Sequence, residues 1–166
     1  MSGKSEKFDE LGVPTHSKRL GRELAMEFLF GCDLRDEVPG VAGFEQFLET
    51  ARDEFQMKDN RHAHRATEYA RKLYECVTLE KENIDARIIR YCENWAWERI
   101  SLVDRNIMRV AVAEMSFFDD VPLVVSIDEA VEIARDFSGC EAGNFINGVL
   151  NAVKDHEFAE NAEGRP

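Results

Sequence analysis

No run of eighteen apolar residues occurs in this sequence, so nothing in it reads as a membrane-spanning helix. The opening stretch, MSGKSEKFDELGVPTHSKR, has no apolar core, so no secretory leader is expected and the chain is read as cytoplasmic. Proline is scarce, with four in 166 residues, and the four cysteines, Cys32, Cys76, Cys92 and Cys140, form no C-x-x-C pair. They fall among apolar residues in helix-like segments and read as buried free thiols. His62 and His64 are two residues apart, which on a helix turns them roughly 200 degrees from one another, too far to share a metal. A G-x-S-x-G elbow is missing, as is a cysteine beside an activating histidine. Neither a nucleophilic catalytic residue, a metal site nor a cofactor is therefore expected from these residues. Period-two alternation is lacking too, apart from LVVSI at 123–127, which is too short and solitary to make a sheet.

What remains is helical periodicity almost throughout. Residues 1–14 are polar, mixed in charge and closed by Pro14, and are expected to form a disordered arm. Thr15 or Ser17 is placed to cap a first helix through Leu20, Leu24, Phe28 and Cys32. Phe44, Phe47, Leu48, Ala51 and Phe55 predict a second. After the polar KDNRH segment, Ala66, Tyr69, Ala70, Leu73, Tyr74 and Val77 predict a third, and Ile84, Ile88, Tyr91, Cys92 and Trp95 a fourth. Val103 to Phe118 is apolar enough to sit at the centre of a core. Pro122 breaks that helix, and Ser126-Ile127-Asp128-Glu129 fits a capping box for the next, which Gly139 would end in a left-handed conformation. The expected fold is all-α, with about seven helices in two small packed bundles. The domain would span 15–156, dividing into subdomains of about 15–78 and 79–156, with a frayed tail at 157–166.

Formal net charge is −12, from 33 acidic against 21 basic residues, which favours basic partners and repels nucleic acid. The distribution is uneven. THSKRLGR, residues 15–22, carries Lys18, Arg19 and Arg22 with no acid, a small basic island on an acidic body. Three charges are a weak signal, and taken alone they read first as a solvated helix face, although cations at a helix N-terminus oppose the macrodipole and so point also to a role besides helix stability.

The stretch GCEAGNFINGVLNAV at 139–153 holds three glycines in a run that otherwise keeps helical spacing. A phosphate loop needs a preceding strand and a following Lys-Ser or Lys-Thr, and a hairpin at Asn147-Gly148 needs flanking strands; the sequence offers neither. A mid-helix glycine costs roughly 1 kcal/mol, which close approach of another group would offset. Packing against a neighbouring helix is expected at Gly148, and approach of a ligand at Gly143, near the helix start beside Asn144.

Residues 97–153, WERISLVDRNIMRVAVAEMSFFDDVPLVVSIDEAVEIARDFSGCEAGNFINGVLNAV, resemble the C-terminal half of the NusB family of transcription antitermination factors. RLGRELAMEFLFGCDLR resembles that family's N-terminal R-x-x-A/G-R-E-x-A segment, and together the matches cover about residues 17–154. The resemblance implies an RNA-binding protein without catalysis. It would take up boxA-type single-stranded RNA, pair with the ribosomal protein NusE, join the RNA polymerase antitermination complex and suppress termination, chiefly on ribosomal RNA operons.

Carried over by position, the RNA-facing candidates are Lys18, Arg19, Arg22, Gly143, Asn144 and Phe145, and those for NusE are Phe30, Glu98 and Asp104. Some members pair through the RNA-facing surface, so a homodimer is a further expectation. Leu20 and Asn144 stand where arginine and lysine are common in the family, which predicts weak RNA binding in the absence of NusE. Two rival readings are a helical protein–protein adaptor with weak or lost RNA binding, and a helper domain related to the N-terminal part of ribosomal RNA cytosine methyltransferases. Against the second as an active enzyme, the sequence holds no Gly-rich segment for a methyl donor.

Overall fold

The computed structural model describes residues 15–54 and 61–159. The expected N-terminal arm, Phe55, and residues 160–166 of the expected tail lie outside the described residues. The described chain is all-helical: α1 (Thr15–Arg35), α2 (Val41–Glu54), α3 (Arg61–Arg90), a 3-10 turn (Trp97–Arg99), α4 (Leu102–Phe117), α5 (Leu123–Phe137) and α6 (Cys140–Glu157). The third and fourth predicted helices are one element, because VTLEKEN between them contains neither glycine nor proline. The join is marked by a kink at Glu80 (φ −113°, ψ 17°), and the two arms on either side bring the total to the expected seven. The helix also begins earlier than the apolar stripe suggests, so that Arg61 and His62 of the KDNRH segment belong to it.

The chain divides into two compact units, Met1–Glu75 and Cys76–Pro166. In the first, an aromatic cluster forms the centre. The Phe44 ring stacks on Tyr74 at 4.3 Å and tilts against Phe28 at 5.0 Å, while Leu48, Ala51, Ala66, Ala70 and Leu73 are buried nearby in the sequence of α2 and α3. Arg71 ties α3 to α2 by donating to both carboxylate oxygens of Glu45, at 2.6 and 2.9 Å, which holds the Glu45 carboxyl below its ordinary pKa.

In the second unit α4 is buried over every residue from Asn106 to Met115, as its apolar composition predicts. Its N-terminus is capped by Ser101, whose hydroxyl accepts from the Asp104 amide at 3.1 Å. The capping box expected at Ser126 is not formed. Pro122, at φ −58° and ψ 140°, caps α5 and starts it at Leu123, which places Ser126 inside the helix. There its hydroxyl donates to the buried Glu114 carboxylate at 2.6 Å, while LVVSI is helix and no strand occurs among the described residues. Ser17 is likewise an interior residue of α1, where it shares a hydrogen bond with His62. At the other end of the unit, Glu157, the last residue of α6, is held by Arg87.

Gly139 has the positive φ expected of it, at 104°, but with ψ 177°, a combination essentially confined to glycine. It follows the end of α5 and at the same time caps α6, so a single residue turns one helix into the next. The four cysteines are thiols rather than disulfides, as expected, but only two of them show the burial expected of all four. Cys32 and Cys92 are buried, whereas Cys76 is half-buried and Cys140, at the start of α6, is exposed.

Candidate nucleic-acid interface

The basic island forms the first two turns of α1, where its members differ in access to solvent. Lys18 and Arg22 are only 8% and 4% exposed. Both lie over the Tyr69 ring, with Nζ of Lys18 at 5.8 Å and the Arg22 guanidinium at 5.6 Å from its centroid. Arg19 keeps part of its side chain in water and donates to Glu23 at 2.6 Å. The island ends there. One turn on, Glu27 has its pKa raised by burial and by the neighbouring charges of Glu23 and Glu54.

What lets α1 approach α3 is Gly21. A Cβ there would stand 2.9 Å from both the Ala66 carbonyl oxygen and the Tyr69 Cβ, closer than real contacts allow. Gly21→Ala is therefore expected to destabilise the first unit by about 1–2 kcal/mol, its gain in helix propensity notwithstanding, as read from the urea midpoint.

The second group of RNA-facing candidates opens α6. Asn144 is exposed, and Phe145 is half-buried with its ring against Trp95, centroids 5.8 Å apart and planes at 65°. Trp95 itself is 57% exposed, so the edge-to-face pair leaves aromatic surface in water. The helical stripe expected to run on through Tyr91, Cys92 and Trp95 stops short of them: α3 ends at Arg90, and all three lie in the non-helical connection that follows, where Trp95 is free to meet a ring far along the chain.

Two glycine expectations change places here. At Gly143 the room left by the missing side chain is already occupied, since a Cβ would meet Arg135 Cγ at 2.9 Å, and the Gly143 amide donates to the Gly139 carbonyl at 3.2 Å. Close packing thus belongs to Gly143. Gly148, where it was expected, has no neighbour within 4 Å of the same position. Gly148→Ala should stabilise the chain by about 1 kcal/mol, seen as a higher urea midpoint.

Of the NusE-facing candidates, Phe30 is half-buried in the first unit, and Glu98 is exposed in the 3-10 turn of the second. Asp104 is half-buried in the first turn of α4 and accepts from the Ser138 hydroxyl at 2.9 Å. Behind this stretch the Trp97 ring receives the guanidinium groups of Arg105 and Arg109, at 4.9 and 5.4 Å. Among the described residues no group of acids, histidines and cysteines could hold a metal ion, and no helix is long and apolar enough to cross a membrane.

A basic helix start and an aromatic pair that leaves ring surface in water are features of an all-helical binding protein. The chain belongs to the NusB family, whose model matches residues 19–155. It is a transcription antitermination factor, not an enzyme. The transcription antitermination protein NusB of Desulfotalea psychrophila is 42% identical over 142 residues, covering 82% of this chain and 94% of that protein. Among solved structures, that of T. maritima NusB is 33% identical with a TM-score of 0.69, covering 88% of this chain and 96% of that one. A crystal structure of NusB and NusE in complex with double-stranded RNA is 28% identical, also at a TM-score of 0.69, covering 85% and 98%.

Proposed function

We propose that this chain pairs with NusE and, in that pair, takes up boxA-type single-stranded RNA and delivers it to the RNA polymerase antitermination complex. The observation that carries the reading is the likeness to NusB solved together with NusE and RNA. That RNA is double-stranded; an unpaired strand is favoured here by the Trp95–Phe145 pair, whose rings offer stacking surface to splayed bases. In this reading Arg19 meets phosphate directly, Lys18 and Arg22 raise the local potential from beneath, Asn144 offers a side-chain amide to a base, and Gly143 seats the start of α6 against α5. Phe30, Glu98 and Asp104 face NusE, and the −12 net charge suits a basic ribosomal protein.

Gel filtration with light scattering tests the pairing: an equimolar mixture of the chain and its own organism's NusE should elute as a one-to-one complex. Glu98→Lys with Asp104→Lys should abolish that complex without altering the melting temperature by more than a few degrees. Separate elution of the unaltered proteins at micromolar concentration would remove NusE as the partner.

A further inference from the structure

Arg61 and Arg65, at the beginning of α3, have no place in the assignments above. We propose that they are phosphate contacts that carry the basic island of α1 onward into a track for the backbone of the bound RNA. The proposal rests on the RNA-binding reading.

The first turns of α1 and α3 run side by side in the same direction. The His16 ring lies 3.8 Å from that of His62, Ser17 bonds His62, and Gly21 fits against Ala66 and Tyr69. Tyr69 is the ring over which Lys18 and Arg22 lie. Arg61, Arg65 and Tyr69 follow one another at intervals of four residues, so they form one row along α3, and the two arginines extend it from that ring toward the helix N-terminus.

The charges differ in what they can reach. Lys18 and Arg22 are buried and Arg19 is held by Glu23, whereas Arg61 and Arg65 are exposed. Neither Arg61 nor Arg65 is ion-paired to a carboxylate among the described residues. No acid occurs from Arg61 to Thr67, or from Thr15 to Arg22 on the facing helix. The first described turn of α3 holds no acidic residue to offset these charges. Exposed arginines in a row on one helix face are an arrangement that binds phosphodiester oxygens.

The test is a fluorescence-anisotropy titration of a labelled boxA-type RNA with the full chain and NusE, at several salt concentrations. Removing two phosphate contacts should lower the slope of log affinity against log salt by about 1.4 and weaken binding at 0.1 M salt by roughly 25-fold. Arg61→Ala with Arg65→Ala should show both effects. Arg61→Lys with Arg65→Lys should bind within about threefold of the unaltered chain, because the charges remain. Arg35→Ala with Lys72→Ala, which removes the same charge elsewhere on the first unit, should leave the slope unchanged. If the unaltered chain binds and the Arg61/Arg65 alanine pair binds with the same affinity and slope, this inference is overturned and the RNA-binding reading stands. If the unaltered chain with NusE binds no RNA, both fall.

Discussion

Arg109→Leu is expected to cost the second unit about 3 kcal/mol, enough to move the urea midpoint by more than 1 M for a chain of this size. The Arg109 side chain is 5% exposed and donates to both carboxylate oxygens of Asp85, at 2.6 and 2.8 Å. It also donates to Asn106 at 3.1 Å and lies over the Trp97 ring. Leucine would leave Asp85 a carboxylate in a partly buried place with its main partner gone, and a buried pair broken on one side is far more costly than a pair replaced on both. Because Asp85 is 18% exposed, water recovers part of the loss, which sets the estimate near the lower end for such a break. Two comparisons sharpen the test. Arg109→Leu with Asp85→Leu should recover about half of the stability or more. Glu132→Ala, which breaks the exposed pair with Arg135 and leaves the Arg135 stem against Gly143, should change it by less than about 1 kcal/mol. An Arg109→Leu midpoint no lower than that of Glu132→Ala would show that the Asp85 pair does not anchor α4 to α3.

Phe145→Ala is expected to weaken RNA binding by about 1–3 kcal/mol, or roughly 5- to 150-fold, measured with NusE present. The reason is loss of a stacking surface rather than of charge, so the dependence on salt should keep its slope. That separates the aromatic contact from the arginines, whose removal flattens the slope. Trp95→Ala should act in the same direction, and Trp95→Phe should keep most of the affinity because a ring remains. Tryptophan fluorescence supplies a direct reading. Trp97 is packed under two guanidinium groups, so quenching by RNA should come mainly from Trp95 and should disappear in Trp95→Phe. Full affinity in Phe145→Ala would show that no base stacks at the start of α6.

The helices were legible because their spacing is: Phe44, Leu48 and Ala51 on α2, and the unbroken apolar run of α4, are buried as periodicity predicts. Boundaries were read less well, since Ser-x-x-Glu at Ser126 and Ser-x-x-Asp at Ser101 look equally like caps. Only the position of Pro122 four residues upstream decides that the first is interior. The glycines could be flagged but not assigned. Which of Gly143 and Gly148 touches another helix depends on how α6 is rotated, and the close approach of Gly21 to α3 depends in the same way on a partner helix some 45 residues further along the chain.

Burial of Lys18 and Arg22 was hidden for a related reason. Long cations are expected in solvent, and it is the Tyr69 ring on another helix that draws these two inward. Arg61 and Arg65 escaped notice because their segment is polar enough to resemble a connector, although it forms the first turns of α3. Trp95 and Phe145 meet only once the chain has folded.

The most direct test of the central claim is a titration of boxA-type RNA with the chain alone and with the chain plus NusE, at fixed salt. The account predicts weak binding by the chain alone and at least tenfold tighter binding with NusE, because the exposed charge near RNA is modest and the body is acidic. Equal affinity with and without NusE, or no binding in either case, would contradict it.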